Sequence, residues 1–164
     1  MTRGALREIR LNVADQRDRI KGGLEEASVT QIPVVVSLML CEKVIVESKT
    51  HNPTFINSFS TRVVRSIPSE PLTFMVCATL TNGQGNIPLE VRIDRLDTME
   101  TIRFRQGTAT FDDPMVERRL SHTIRDLSFP VAGAYQVLLI AGNELIADRR
   151  FEIHHEIPED DENE

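Results

Sequence analysis

Four histidines, two cysteines and a scatter of loop aspartates are the residues whose chemistry would matter in this chain, and their spacing limits what they can do. Nucleophilic catalysis needs a serine or cysteine beside a base that an acid holds in place. No G-x-S-x-G motif is present, and Cys41 and Cys77 both fall inside runs that read as strands, where a nucleophile is buried. His51 and His122 stand far apart. His154 and His155 are adjacent, so on a strand they point to opposite faces. No C-x-x-C or H-x-x-x-H spacing exists for zinc. Gly83-Gln84-Gly85 lies between strand-like runs, without the helix N-terminus that holds a phosphate. The best metal-ligating set is Asp94, Asp97, Asp112 and Asp113, because calcium takes about six to eight hard oxygens. Four acids are few for that, the sequence does not gather them at one end, and solvated loop acids are the expectation. No catalytic, cofactor-binding or metal-binding residue is assigned, and no cofactor is expected. Carbohydrate binding relies on exposed aromatics, and the chain has no Trp, one Tyr and seven Phe that mostly fall at inward parity.

The elements that would position such residues are short β-runs. The stretch from Asp126 to Ile153 organises them. Pro130 fixes φ, Gly133 can take φ > 0, and Tyr135 opens the run that follows. This is the pattern of a tyrosine corner, in which the buried hydroxyl reaches back to backbone, here near residues 127–132. Gly142-Asn143 between two apolar runs predicts a two-residue hairpin of type II′. Upstream, Leu72 to Leu80 alternates cleanly, with Leu72, Phe74, Val76, Ala78 and Leu80 on one face. Leu89, Val91 and Ile93 alternate with Glu90, Arg92 and Asp94, and Thr101 to Arg105 repeats the pattern with Ile102 and Phe104 inward. Val34 to Val46 reads as one bent strand or two. Turn signals recur roughly every 8–12 residues, and strands do not alternate with helices, which points to a sandwich rather than a doubly wound sheet. The expected core is Leu72, Phe74, Val76, Leu89, Val91, Ile93, Phe104, Val137, Leu139 and Phe151.

The ends differ in texture. Leu6, Ile9, Val13, Ile20 and Leu24 suit one helical face, predicting a short amphipathic helix over about 4–21 that Gly22-Gly23 stops. Of the net charge of −6, six acids lie in residues 156–164, leaving the body close to neutral and the tail expected to be disordered. The body shows no concentrated basic face, which argues against nucleic acid. No apolar run reaches the length of a membrane span. The opening MTRGALREIRLNV carries no apolar h-region, so an intracellular, cytoplasmic location is expected, with Cys41 and Cys77 as buried, unbridged thiols. An immunoglobulin bridge would come with a tryptophan, and there is none.

Leu40-Cys41-Glu42, Phe55-Ile56 leading through Phe59 to Pro68, Phe129-Pro130, Gly133, Tyr135 and the Gly142 hairpin ending in Arg150-Phe151 together resemble a family of short, functionally uncharacterised prokaryotic β-sandwich proteins. The resemblance covers residues 34–153 or so and implies a fold. No catalytic motif comes with it. The fold class expected is all-β: an immunoglobulin-like, two-sheet antiparallel sandwich over 32–155, with a helical arm in 1–31 and a disordered acidic tail from 156. The function expected is that of a non-enzymatic protein-interaction module, binding a protein partner or itself. A C2-like calcium- or membrane-surface-binding module and an enzyme with an unrecognised site are the alternatives.

Overall fold

The structure, a computed structural model, describes residues 7–9 and 29–157. It contains ten strands: β1 (Arg7–Ile9), β2 (Val34–Val46), β3 (Pro53–Ser58), β4 (Thr61–Val64), β5 (Leu72–Thr81), β6 (Gly85–Arg95), β7 (Thr101–Phe111), β8 (Arg118–Leu127), β9 (Gly133–Ala141) and β10 (Glu144–His155). They form two five-stranded sheets, ordered β1-β8-β5-β2-β3 and β4-β10-β9-β6-β7. The fold is an all-β sandwich, and no helix is present among the described residues. Its central orders, β2-β5-β8 in one sheet and β6-β9-β10 in the other, are those of the A-B-E and C-F-G strands of immunoglobulin-type domains. The neighbours are antiparallel except at two edges, where β1 runs parallel to β8 and β4 parallel to β10.

The strands form where alternation gives each sheet one dry face. On β5, Phe74, Val76, Ala78 and Leu80 are buried, and on β6 Ile87, Leu89, Val91 and Ile93 meet them from the other sheet. At one end of this core the aromatics interlock. Phe129 packs edge-on against Tyr135 at 4.9 Å between ring centroids and against Phe151 at 5.8 Å. Phe59 meets Phe74 edge-on at 5.7 Å. Such pairs contribute about 0.5–1.5 kcal/mol each beyond the area they bury. Ser69 fixes Phe129 from the β4–β5 loop: the Ser69 amide donates to the Phe129 carbonyl at 2.9 Å, and the Phe129 amide donates to Ser69 Oγ at 2.9 Å.

The Tyr135 hydroxyl donates to the Val131 carbonyl at 2.7 Å, within the stretch the sequence picked out. Tyr135 is fully buried, so without Val131 the hydroxyl would have to give up its hydrogen bond to water for nothing.

Three expectations need correction. First, Arg7–Ile9 form a strand, not part of a helix, because the edge of β8 offers unpaired backbone groups that a parallel strand satisfies at Arg118–Leu120. The rest of the predicted helix over 4–21, and residues 158–164 of the predicted tail, lie outside the described residues. Second, Phe104 is 57% exposed. Ile93 pairs with Arg103 but Asp94 pairs with Thr101, so Ile102 is the extra residue of a β-bulge. The bulge shifts the parity of everything after it, and Phe104 lands on the solvent face. Leu72 is only partly buried, at the start of its strand. Third, the β9–β10 hairpin has φ of +55° at Gly142 and +70° at Asn143, the type I′ signature with both central residues left-handed, rather than type II′. The chain from Phe55 to Val64 breaks near Ser60 into β3 and β4, which belong to different sheets.

Two substitutions test this packing. Phe74→Ala should lower stability by about 3–5 kcal/mol through lost burial and a residual cavity. Tyr135→Phe keeps the ring, strands the Val131 carbonyl, and should cost about 1–3 kcal/mol with an unchanged circular dichroism spectrum. Chemical denaturation measures both.

Candidate functional site

One concavity arises because β2 serves two ladders. Val34 to Cys41 pair with β5, whereas Cys41 to Val46 pair with β3, and Cys41 belongs to both. Beyond Cys41 the β2–β3 hairpin brings Val44, Val46, Pro53 and Phe55 against the outer face of β5 and β8 at Cys77, Thr79, Arg119 and Ser121. Between them lies a cavity of about 100 Å³, mostly apolar in lining. The hairpin tip is locally ordered by Glu47, whose carboxylate accepts the amides of Lys49 at 3.1 Å and Thr50 at 2.5 Å. A hydrogen bond from the Thr50 side chain foremost, and then these amide bonds, hold the Glu47 carboxyl below its usual range. The tip is tied to the body by Arg119, whose Nη1 donates to the His51 carbonyl at 2.5 Å. Arg119 had no signal in the sequence, since a strand-face arginine ordinarily points into solvent.

Cys41 and Cys77 lie on this same outer face, yet both are buried. Their Sγ atoms are 3.9 Å apart, and burial pushes the Cys41 thiol up from its ordinary value.

The histidines do not gather. His51 stands at the hairpin tip with φ +57°. His154 Nε2 lies 2.9 Å from Glu152 Oε2, and His155 Nε2 lies 3.3 Å from the Arg65 carbonyl. His122 sits half-buried on β8, paired with Val76, and its Nε2 has no hydrogen-bond partner among the described residues. Desolvation, helped by the nearby Arg105 charge, pushes its pKa below 6.5.

The four aspartates expected in loops are separated as well, and Asp94 is a buried residue of β6 rather than a loop residue. Asp94 and Asp97 flank the β6–β7 turn, and Asp112 and Asp113 follow the far end of β7, roughly 30 Å away at the usual rise of an extended strand. Each has its own partner. Asp94 accepts from Thr101 Oγ1 at 2.7 Å and Arg92 Nε at 3.1 Å, and Asp97 accepts from Arg95 through both oxygens at 2.9 and 2.5 Å. Asp112 accepts from Arg118 Nη2 at 3.0 Å, and Asp113 from the Met115 amide at 2.8 Å. The Arg95 guanidinium beside Asp97 lowers that carboxyl's pKa. The gathering of acids at one end that a C2-like calcium site requires is therefore not what the loops provide. No three of His, Cys, Asp and Glu come together among the described residues. The Gly83-Gln84-Gly85 turn is occupied too, since Gln84 bonds Gln31 in both directions at 2.9 and 3.0 Å.

His122 gives this region a pH dependence. Its folded pKa lies below the unfolded value, so the unfolded chain binds the proton more readily and stability falls as pH drops from about 6.5 toward the lower folded value. His122→Asn should flatten that part of the profile, while leaving the steeper loss below about pH 4.5 that paired carboxylates cause. Urea midpoints measured between pH 7.5 and 5 should show the difference.

No family model matches the chain, and no curated protein matches it. Among solved structures, an alkylpurine DNA glycosylase of Pseudomonas fluorescens bound to abasic-site DNA is 9% identical, with a TM-score of 0.47, over 74% of this chain and 30% of that one. A glycosyl hydrolase family 2 member from Bacteroides cellulosilyticus is 18% identical, with a TM-score of 0.42, over 54% of this chain and 12% of that one. An immunoglobulin-like protein of Pseudomonas aeruginosa is 14% identical, with a TM-score of 0.38, over 76% of this chain and 98% of that one. The chain thus spans only a minor part of the glycosylase and of the hydrolase. Likeness at this level carries no function. Among the described residues no helix is long and apolar enough to cross a membrane.

Proposed function

We propose that this protein is a non-enzymatic, intracellular β-sandwich interaction module of the kind its motifs resemble, acting in the cytoplasm by receiving an extended segment of a protein partner along the edge of β8. The observation that carries this reading is the parallel pairing of Arg7–Ile9 with Arg118–Leu120, which is itself a strand added to that edge. Strand addition draws affinity from backbone hydrogen bonds and specificity from alternate side chains that enter neighbouring pockets. The pocket available is the cavity under the β2–β3 hairpin, which opens beside Arg119 and Ser121 of the same strand. Val34, Val36, Ile45 and Ile56 extend an exposed apolar surface along β2 and β3, the sort of patch that interaction surfaces use.

A chain beginning at Thr30 removes the resident strand. It should melt at least about 3 °C lower, the scale of roughly 1 kcal/mol in a chain of this size, or self-associate through the uncovered edge. A synthetic peptide of residues 1–12 should then bind in trans and shift the amide resonances of Arg118–Leu120. If the shortened chain is as stable and as monomeric as the whole one, and the peptide leaves those resonances unmoved, the β8 edge is not a receiving surface.

A further inference from the structure

The register of β2 against β5 places four sulfur-bearing side chains in one square. Met39 is directly opposite Cys77, and Cys41 is directly opposite Met75. No bulge intervenes between these pairs, since the only irregularity in this ladder lies at Val35/Ser37. Directly paired residues share a face, and so do residues two apart on a strand. Leu40, Val76 and Ala78 fill the core side, so all four sulfur residues share the outer face, and Cys77 among them lines the cavity under the β2–β3 hairpin. Opposed Cβ atoms lie about 4.5–5.5 Å apart in such a ladder, within the span of one metal ion's ligands.

We propose that Cys41, Cys77, Met39 and Met75 form a binding site for a soft monovalent cation, copper(I) in chemical class. With metal–sulfur bonds of about 2.3 Å, the 3.9 Å between Cys41 Sγ and Cys77 Sγ subtends roughly 115° at the metal, between tetrahedral and trigonal. A disulfide fits less well. The two cysteines are diagonal rather than opposed, which puts their Cα atoms about 7–8 Å apart against the 4.4–6.8 Å a disulfide accepts. The ligand types select the metal: thiolates with thioethers favour copper(I), whereas zinc prefers thiolate, imidazole and carboxylate, and no such third ligand stands near among the described residues. Methionine's three rotatable bonds let each thioether turn toward the metal without moving the strands. The cavity reaching Cys77 supplies an entry path, and its apolar walls suit a site that excludes water. On binding, the metal replaces the thiol protons, so up to two protons leave for each ion that enters.

The test is an anaerobic titration of the reduced, full-length protein with copper(I) in competition with bicinchoninate. One ion per chain should be held. Replacing both methionines, Met39→Leu with Met75→Leu, conserves volume and so keeps the fold and both thiols. That variant should bind at least tenfold more weakly. Cys41→Ser with Cys77→Ser should lose binding altogether. X-ray absorption of the loaded protein should show a shell of three or four sulfurs only, and zinc(II) offered instead should not be retained. No binding by the folded wild type, equal affinity in the methionine variant, nitrogen or oxygen in the shell, or tighter zinc binding would each overturn the proposal. Because the methionine variant keeps both cysteines, its result stands even where the cysteine variant fails to fold.

Discussion

A buried phenol must find an acceptor, and in this molecule that requirement shapes the crossing between the two sheets. Tyr135 is wholly enclosed, and its hydroxyl is satisfied by the Val131 carbonyl four residues upstream. The bond closes the loop that carries the chain from β8 in one sheet to β9 in the other. Phe129, at the start of that loop, is locked between Tyr135 and Phe151 and is hydrogen-bonded in both directions to Ser69. The β4–β5 connection and the β8–β9 connection are thereby fixed to each other. With that end anchored, the pairing of β9 with β6 and β10 follows in one register, because a slip by one residue would turn Val137 and Leu139 outward.

The second organising feature is the divided allegiance of β2. A strand that paired with β5 along its whole length would leave the outer face of the sheet open. By handing its second half to β3, β2 lifts a hairpin over Cys77, and Arg119 ties the tip down through His51. On the opposite side of the same strand, Arg149 of β10 donates to the Leu38 carbonyl at 3.2 Å, so β2 also closes the gap between the sheets. A pocket, a sulfur square and a sheet-to-sheet contact all depend on the path of one strand.

Much of the fold was legible because two-residue periodicity is a local signal. Phe74, Val76, Leu89, Val91 and Ile93 needed only their own neighbours to be placed, and the proline, glycine and tyrosine around residue 130 carried the corner. What escaped was set by partners distant in sequence. The bulge at Ile102 exists because of how β7 meets β6, and it reversed Phe104. The strand at Arg7–Ile9 depends on an edge more than a hundred residues away, whereas its own apolar spacing suited a helix. For the candidate site the limit was register. Cys41 and Cys77 were visible singly, but nothing in the sequence says that Met39 stands opposite one and Met75 opposite the other.

The parallel pairing of β4 with β10 joins Thr61–Val64 to Glu152–His155 across some ninety residues of chain. As the polypeptide leaves the ribosome, β4 is synthesised long before the strand it will pair with, and β9 and β6 must be in place before β10 can lie beside them. The second sheet therefore completes only when nearly the whole chain has emerged, and the entropy of closing a loop over such a distance adds to the folding barrier. Until then Val63 and Val64 belong to an unpaired segment, open to pairing with other strand edges.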